Sequence, residues 1–228
     1  MMMEGGCSGK KRAWPKDDFT DVVLKWSLHD IFNENRYKDQ VEWIPELFES
    51  VGNYLGSYIY PLLEETRAQL ASAMEFIHQA PFAEVQILEE AKSCGKFLYD
   101  VKVDQWKNKF VDHGKELYKV LPGDILVISD SKPETSSDLQ RMHWSWTLAS
   151  VTDIKGEGID ESTSSTKFKV KTPEDMPFKG GKQDWLYVVY LTNTMTNKRI
   201  WKALHWFKNL TLIEKVLCSN AMVSMRLN

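Results

Sequence analysis

Along the chain the spacing of apolar side chains changes from helical to strand-like near Phe82, and that change predicts two kinds of architecture in one sequence. Phe19, Val22, Val23 and Trp26 follow the i, i+3, i+4, i+7 spacing of one helix face, and Ser27-Leu28-His29-Asp30 then resembles a capping box that opens another turn. The strongest helical pattern runs from Pro61 to Gln79, where Leu63, Thr66, Leu70, Ala73, Met74 and Ile77 form one stripe. Its ends agree: Pro61 suits the first turn, Glu64 and Glu65 suit the positive end of the dipole, His78 suits the negative end, and Pro81 stops propagation. About five turns give a rod near 30 Å long.

Beyond Phe82 the period becomes 2. Phe97, Tyr99, Val101 and Val103 alternate with Lys96, Leu98, Asp100 and Lys102, as in a strand with one wet face. The turn Leu121-Pro122-Gly123-Asp124 feeds a β-branched run to Ser129, and further strands are predicted at Trp146 to Ile154, Phe168 to Thr172 and Trp185 to Asn193. The last is apolar on both faces, so it should be central or interfacial. Asp130 to Arg141 and Lys155 to Lys167 are polar and lack an apolar period, which makes them loops. Strands spaced in this way suggest a small antiparallel barrel, and Leu210, Ile213, Val216 and Leu217 point to a short closing helix. The expected fold class is therefore α+β: N-terminal helices that include a long stalk-like helix, a small antiparallel β-barrel, and a short C-terminal helix. The expected divisions are a disordered basic tail at 1–16, a helical region at 17–81, the barrel at 82–208, and the closing helix and tail at 209–228. No internal repeat is visible.

Composition narrows the functional classes. With 228 residues, 43% hydrophobic and 12% aromatic, the chain has enough apolar surface for a sizeable core. No run approaches the roughly 18 apolar residues of a membrane span. The basic cluster Lys10, Lys11 and Arg12 has no apolar segment after it, so no signal peptide is expected. The expected location is intracellular, with the nucleus as the compartment. Cys7, Cys94 and Cys218 form no C-x-x-C pair and have no His at ligand spacing, which argues against a disulfide framework and a zinc site. Without a secretory signal, the sequon Asn209-Leu210-Thr211 is read as chance. A net charge of −3 and a pI of about 6.0 mean that any nucleic-acid contact must be local.

The search for chemistry excludes more than it finds. The pattern G-x-x-x-x-G-K-[ST] is absent: Gly180-Gly181-Lys182 comes nearest, but Gln183 follows it and no Gly precedes at the needed spacing. There is no G-x-S-x-G or H-E-x-x-H. His29, His78, His113, His143 and His205 are scattered singly, and Glu64 and Glu65 project about 100° apart on a helix. The expectation is no catalytic residue, no cofactor and no metal. Lys179 to Lys208 differs, because Lys179, Lys182, Lys198, Arg199, Lys202 and Lys208 meet only Asp184 as an opposing charge. Phe178, Trp185, Tyr187, Tyr190, Trp201, Trp206 and Phe207 lie among them. Cations neutralise phosphates and rings offer stacking faces, so Lys182, Lys198, Arg199, Trp201 and Lys202 are the candidate nucleic-acid-binding residues. The competing reading makes the rings core and the cations its solvated outside. Trp144 and Trp146, two apart, would share one strand face, with core packing as the expectation.

The N-terminal words carry a resemblance. Trp26-Ser27-Leu28-His29-Asp30-Ile31-Phe32-Asn33-Glu34-Asn35, then Tyr37-Lys38, Ile44-Pro45, and Tyr54 through Pro61-Leu62-Leu63-Glu64-Glu65-Thr66-Arg67-Ala68 resemble the opening of plant senataxin-like helicases, also described as UvrD-like. The resemblance extends over nearly all of residues 17–218. It implies stalk helices and a small barrel that, in such helicases, attach to the first motor domain and help to form the nucleic-acid channel. A helicase would continue into a phosphate loop and an Asp-Glu magnesium motif, whereas this sequence continues into Ala221-Met222-Val223-Ser224-Met225-Arg226-Leu227-Asn228, so the expectation is a chain truncated before the motor. ATPase and unwinding activity are accordingly not expected of it.

Three functions compete at this point. The first is a non-catalytic, helicase-derived accessory module with a modest surface for single-stranded RNA or DNA. The second is a protein-interaction module: between Trp14 and Glu65 eleven acidic residues stand against four basic ones, and such a face attracts basic protein partners and repels phosphate. The third is a regulatory fragment that competes with an intact helicase. None involves a membrane.

Overall fold

The computed structural model describes residues 15–41, 43–44, 48, 50–91, 97–108, 118–141, 145–154, 165–176, 186–206, 211–215 and 217. The α+β expectation holds: helices pack against one face of a closed, six-stranded antiparallel barrel.

Local chemistry starts the first two helices where the sequence places them, and a further short helix follows them. The Asp18 carboxylate accepts from the Thr20 N–H at 3.0 Å and opens α1 (Phe19–Leu24). Ser27 and Asp30 form a reciprocal capping box on α2 (Leu28–Phe32), with the Asp30 N–H donating to Ser27 Oγ and the Ser27 N–H donating to the Asp30 carboxylate. Ser50 caps α3 (Val51–Gly56) by accepting from the Asn53 N–H. The long helix α4 (Ile59–Glu75) holds Pro61 in its first turn, where the missing N–H has no intrahelical partner to lose. It ends earlier than the periodicity predicts: Ile77 belongs to a following 3-10 turn, Ile77–Gln79, yet stays buried.

The barrel strands are β1 (Phe82–Glu90), β2 (Leu98–Val103), β3 (Asp124–Ser129), β4 (Trp146–Ile154), β5 (Thr166–Lys171) and β6 (Tyr187–Asn193), closed in the order β1-β2-β5-β4-β3-β6. On β2, Tyr99, Val101 and Val103 turn inward as alternation requires, whereas Phe97 adopts φ +60° just outside the strand.

Two cores result. Inside the barrel lie Val101, Leu126, Ile128, Val151, Phe168 and Val188. On the outside of the same sheet, Ile125, Val127, Leu148, Val189 and Leu191 pack with Phe19, Ile31, Leu63, Leu70 and Met74 of the helices. All six residues of β3 are buried because that strand has apolar partners on both sides. Likewise β6 places Val188 inside and Val189 and Leu191 outside, which accounts for its two-faced apolar character.

Directly after β6 the chain forms α5 (Met195–His205), an 11-residue helix within the segment expected to belong to the barrel. The turn before β3 anchors its start. Gly123 has φ +87°, and a Cβ there would lie 3.0 Å from Met195 Cβ and 3.1 Å from its backbone nitrogen. The Gly123 carbonyl accepts from both the N–H (2.9 Å) and the hydroxyl (3.0 Å) of Thr194. Beside it, Asp124 is only 1% exposed and accepts from the Leu121 N–H at 2.7 Å, Asn193 Nδ2 at 2.6 Å and the Tyr118 hydroxyl. Farther along, Asn197 Nδ2 donates to Thr66 Oγ1 at 2.8 Å and pins α5 to α4. Residues 211–215 are helical, and Ile213 and Leu217 pack against the helical core.

Candidate nucleic-acid interface

The 3.6-residue period of α5 sorts its basic and aromatic side chains onto two faces. Trp201 faces inward. It is 4% exposed, packs on Phe19 at a ring separation of 5.7 Å, and stacks on His205 at 4.3 Å. His205 in turn places Nδ1 2.9 Å from the Trp201 carbonyl and Nε2 3.1 Å from the Pro15 carbonyl, which holds the N-terminal segment against the helix. The expectation that Trp201 stacks on a base is therefore corrected: its ring is part of the helical core, because residue 201 falls on the α5 face that meets α1. Lys198 is also engaged within the molecule. Its ammonium donates to Thr20 Oγ1 at 3.0 Å and lies 3.9 Å from Asp18 Oδ1, so it closes the α1–α5 junction.

Arg199 and Lys202 lie on the opposite face, both exposed, and among the described residues neither side chain forms a hydrogen bond or ion pair. Trp206 joins them. It follows the last residue of α5, donates its backbone N–H to the Lys202 carbonyl at 2.8 Å, and is 82% exposed. Arg199, Lys202, Ala203 and Trp206 are spaced i, i+3, i+4 and i+7, so they form one stripe, flanked by the exposed Ile200. Trp206 is thus the ring that stands where Trp201 was expected. Placing residues 195–206 on a helical wheel, rather than in a strand-rich region, would have found it. Lys182 lies outside the described residues, as do Phe178, Trp185, Phe207 and Lys208 from the same basic and aromatic segment.

The other polar clusters are engaged in holding the fold. Burial first, and then the hydrogen bond to Asp124, pushes the Tyr118 hydroxyl far above its ordinary range, so this phenol keeps its proton. Arg67 forks onto Glu64, with Nη2 to Oε1 at 2.7 Å, and donates Nη1 to the Ile31 carbonyl at 2.6 Å, tying α4 to the end of α2. Asp138 accepts from the backbone N–H groups of Thr135 (2.8 Å) and Glu134 (3.0 Å), and the Thr135 bond first among its causes holds this carboxyl below the usual range. Trp146 donates Nε1 to the Leu139 carbonyl at 2.9 Å and packs on the helical core; Trp144 lies outside the described residues. Cys7, Cys94 and Cys218 also lie outside them. Among the described residues no group of three or more His, Cys, Asp or Glu could hold a metal ion, and no helix is long and apolar enough to cross a membrane.

The chain belongs to the DUF6469 family, a domain of unknown function, which matches residues 15–224. No curated protein is detectably similar to it.

Proposed function

We propose that this protein is a non-catalytic, helicase-derived accessory module that binds single-stranded RNA or DNA on the outer face of α5. The observation that carries this reading is the exposed stripe of Arg199, Lys202 and Trp206. Two cations without a described partner can neutralise backbone phosphates, and the bare indole between solvent and helix can take a base on its face. The resemblance to senataxin-like helicases supports the same direction, since there the barrel and stalk flank a nucleic-acid path. The non-catalytic part rests on the sequence, which contains no phosphate-binding loop, and on the engagement of Asp124, Tyr118, Glu64 and Arg67 in structural bonds. Such a module needs no cofactor.

The test is a titration of labelled single strands across salt. Binding should be strongest at low salt, and log K against log[salt] should fall by about 0.7 per neutralised phosphate, hence by roughly 1.4 for Arg199 and Lys202 together. Undetectable binding at low salt would remove the reading.

The rival, a protein-interaction module, draws on a different observation. Along α4 runs a groove of about 590 Å³ lined by Glu65, Ala68, Gln69, Ala73, Phe76 and Leu191, with Phe76 55% exposed at its end. A single carboxylate, Glu65, beside an apolar floor suits a basic amphipathic segment. Co-purification of proteins that survives nuclease treatment and is lost in Phe76→Glu would favour it.

A further inference from the structure

Strand pairing brings two lysines together that the sequence keeps far apart. On β5, Phe168 and Val170 turn into the barrel, so Lys167, Lys169 and Lys171 point outward. Lys171 is neutralised by Asp21 of α1 at 2.5 Å. Lys169 stands in register between Asp100 of β2 and Asp153 of β4. Lys167 is different: its register partner on β2 is Lys102, and the residue opposite Lys102 on β1 is Ile87, which is 42% exposed. Among the described residues no carboxylate lies within ion-pair distance of Lys102 or Lys167.

Directly opposed side chains on an antiparallel pair have Cβ atoms about 5 Å apart, and like charges at that spacing weaken the sheet. Two ammonium groups on long stems, held side by side on a rigid barrel wall, can bracket one doubly charged or bridging phosphate. On the same wall Lys169 is opposed by Asp100 and Asp153, whereas Lys102 and Lys167 oppose each other.

We infer that Lys102 and Lys167 form a phosphate-binding point on the outer wall of β2 and β5, a second contact for the nucleic-acid backbone on a different element from the α5 stripe. This deepens the proposed function and rests on it for the identity of the polymer, while the affinity for phosphate itself does not. Lys167 lies four residues, about 13 Å, along β5 from Lys171, whose partner Asp21 sits on the helix that packs against α5.

Two measurements on the full chain separate the claims. In the first, melting temperature is followed with added inorganic pyrophosphate. Wild type should be stabilised, and Lys102→Gln/Lys167→Gln should not respond while melting about 1–3 °C higher than wild type without ligand, because the repulsion is gone. In the second, a labelled single strand is titrated across salt. The double Gln variant should bind roughly tenfold more weakly at low salt with a salt slope shallower by about 0.7, as one phosphate is released, and Lys102→Arg/Lys167→Arg should keep wild-type behaviour. If wild type binds the strand and the Gln variant matches it in affinity, slope and pyrophosphate response, the inference is overturned and the proposed function stands. If no strand binds but pyrophosphate stabilises wild type alone, the phosphate point stands and the nucleic-acid reading falls.

Discussion

The inner and outer faces of α5 are built from the same residue types, yet they do opposite things. Inside, Lys198 meets Asp18 and Thr20, Asn197 meets Thr66, and Trp201 is enclosed by Phe19 and His205. Outside, Arg199, Lys202 and Trp206 stand in solvent. A single residue of displacement, Lys198 to Arg199, moves a cation about 100° around the axis, from the junction with α1 to the open stripe. Basic and aromatic density in a sequence therefore does not identify a binding surface by itself; the helical phase decides which members remain available.

The largest effect that would break this comparison is on stability. Trp201→Ala should remove roughly 3–5 kcal/mol, seen as a fall of about 10 °C or more in melting temperature. A wild-type melting curve for this variant would mean that the indole is not core. Next is the anchor of the helix: Gly123→Ala forces a side chain into φ +87° and against Met195, and should cost about 2 kcal/mol in a denaturant titration. Smaller still is the contrast between the two faces. Lys202→Gln should weaken strand binding several-fold without moving the melting temperature, whereas Lys198→Gln should leave binding nearly unchanged and lower stability by under about 1 kcal/mol. If the two lysines behave alike in binding, the facial division is wrong.

The smallest effect is a pH dependence in the loop between β3 and β4. Asp138 has a folded value held below 3.8, chiefly by the Thr135 N–H, so its carboxylate stabilises the fold above pH 3.8. That contribution disappears as pH falls through the lower folded value. Asp138→Asn should flatten the acid limb of the stability curve, and an unchanged limb would show that the loop bond contributes nothing.

Much of this architecture was legible because burial leaves a period. β2 to β6 and α1, α2 and α4 show it plainly, and even the interfacial position of β6 follows from its two apolar faces. β1 was not legible as a strand: of its nine residues only Ala83 is buried, so no alternation marks it. α5 was hidden for another reason. Only Thr194 separates it from the end of β6, and its inner face includes the buried polar Asn197, which blurs the apolar stripe. Of the candidate site, Arg199 and Lys202 are on an open face; Trp201 needed the helical phase to be set aside, and Trp206 needed it to be found. The pairing of Lys102 with Lys167 depends on strand register across 65 positions of sequence (167 minus 102), which no local pattern records.

The central claim is that the outer stripe of α5 binds nucleic acid without supporting the fold. Its most direct measurement is the affinity of Arg199→Gln/Lys202→Gln/Trp206→Ala for a labelled single strand at about 50 mM salt, taken together with its melting temperature. The account predicts a loss of at least roughly tenfold, since one lost base stack alone is worth about 1–3 kcal/mol, with melting unchanged within about 2 °C. Wild-type affinity in this variant, with the fold intact, would contradict it.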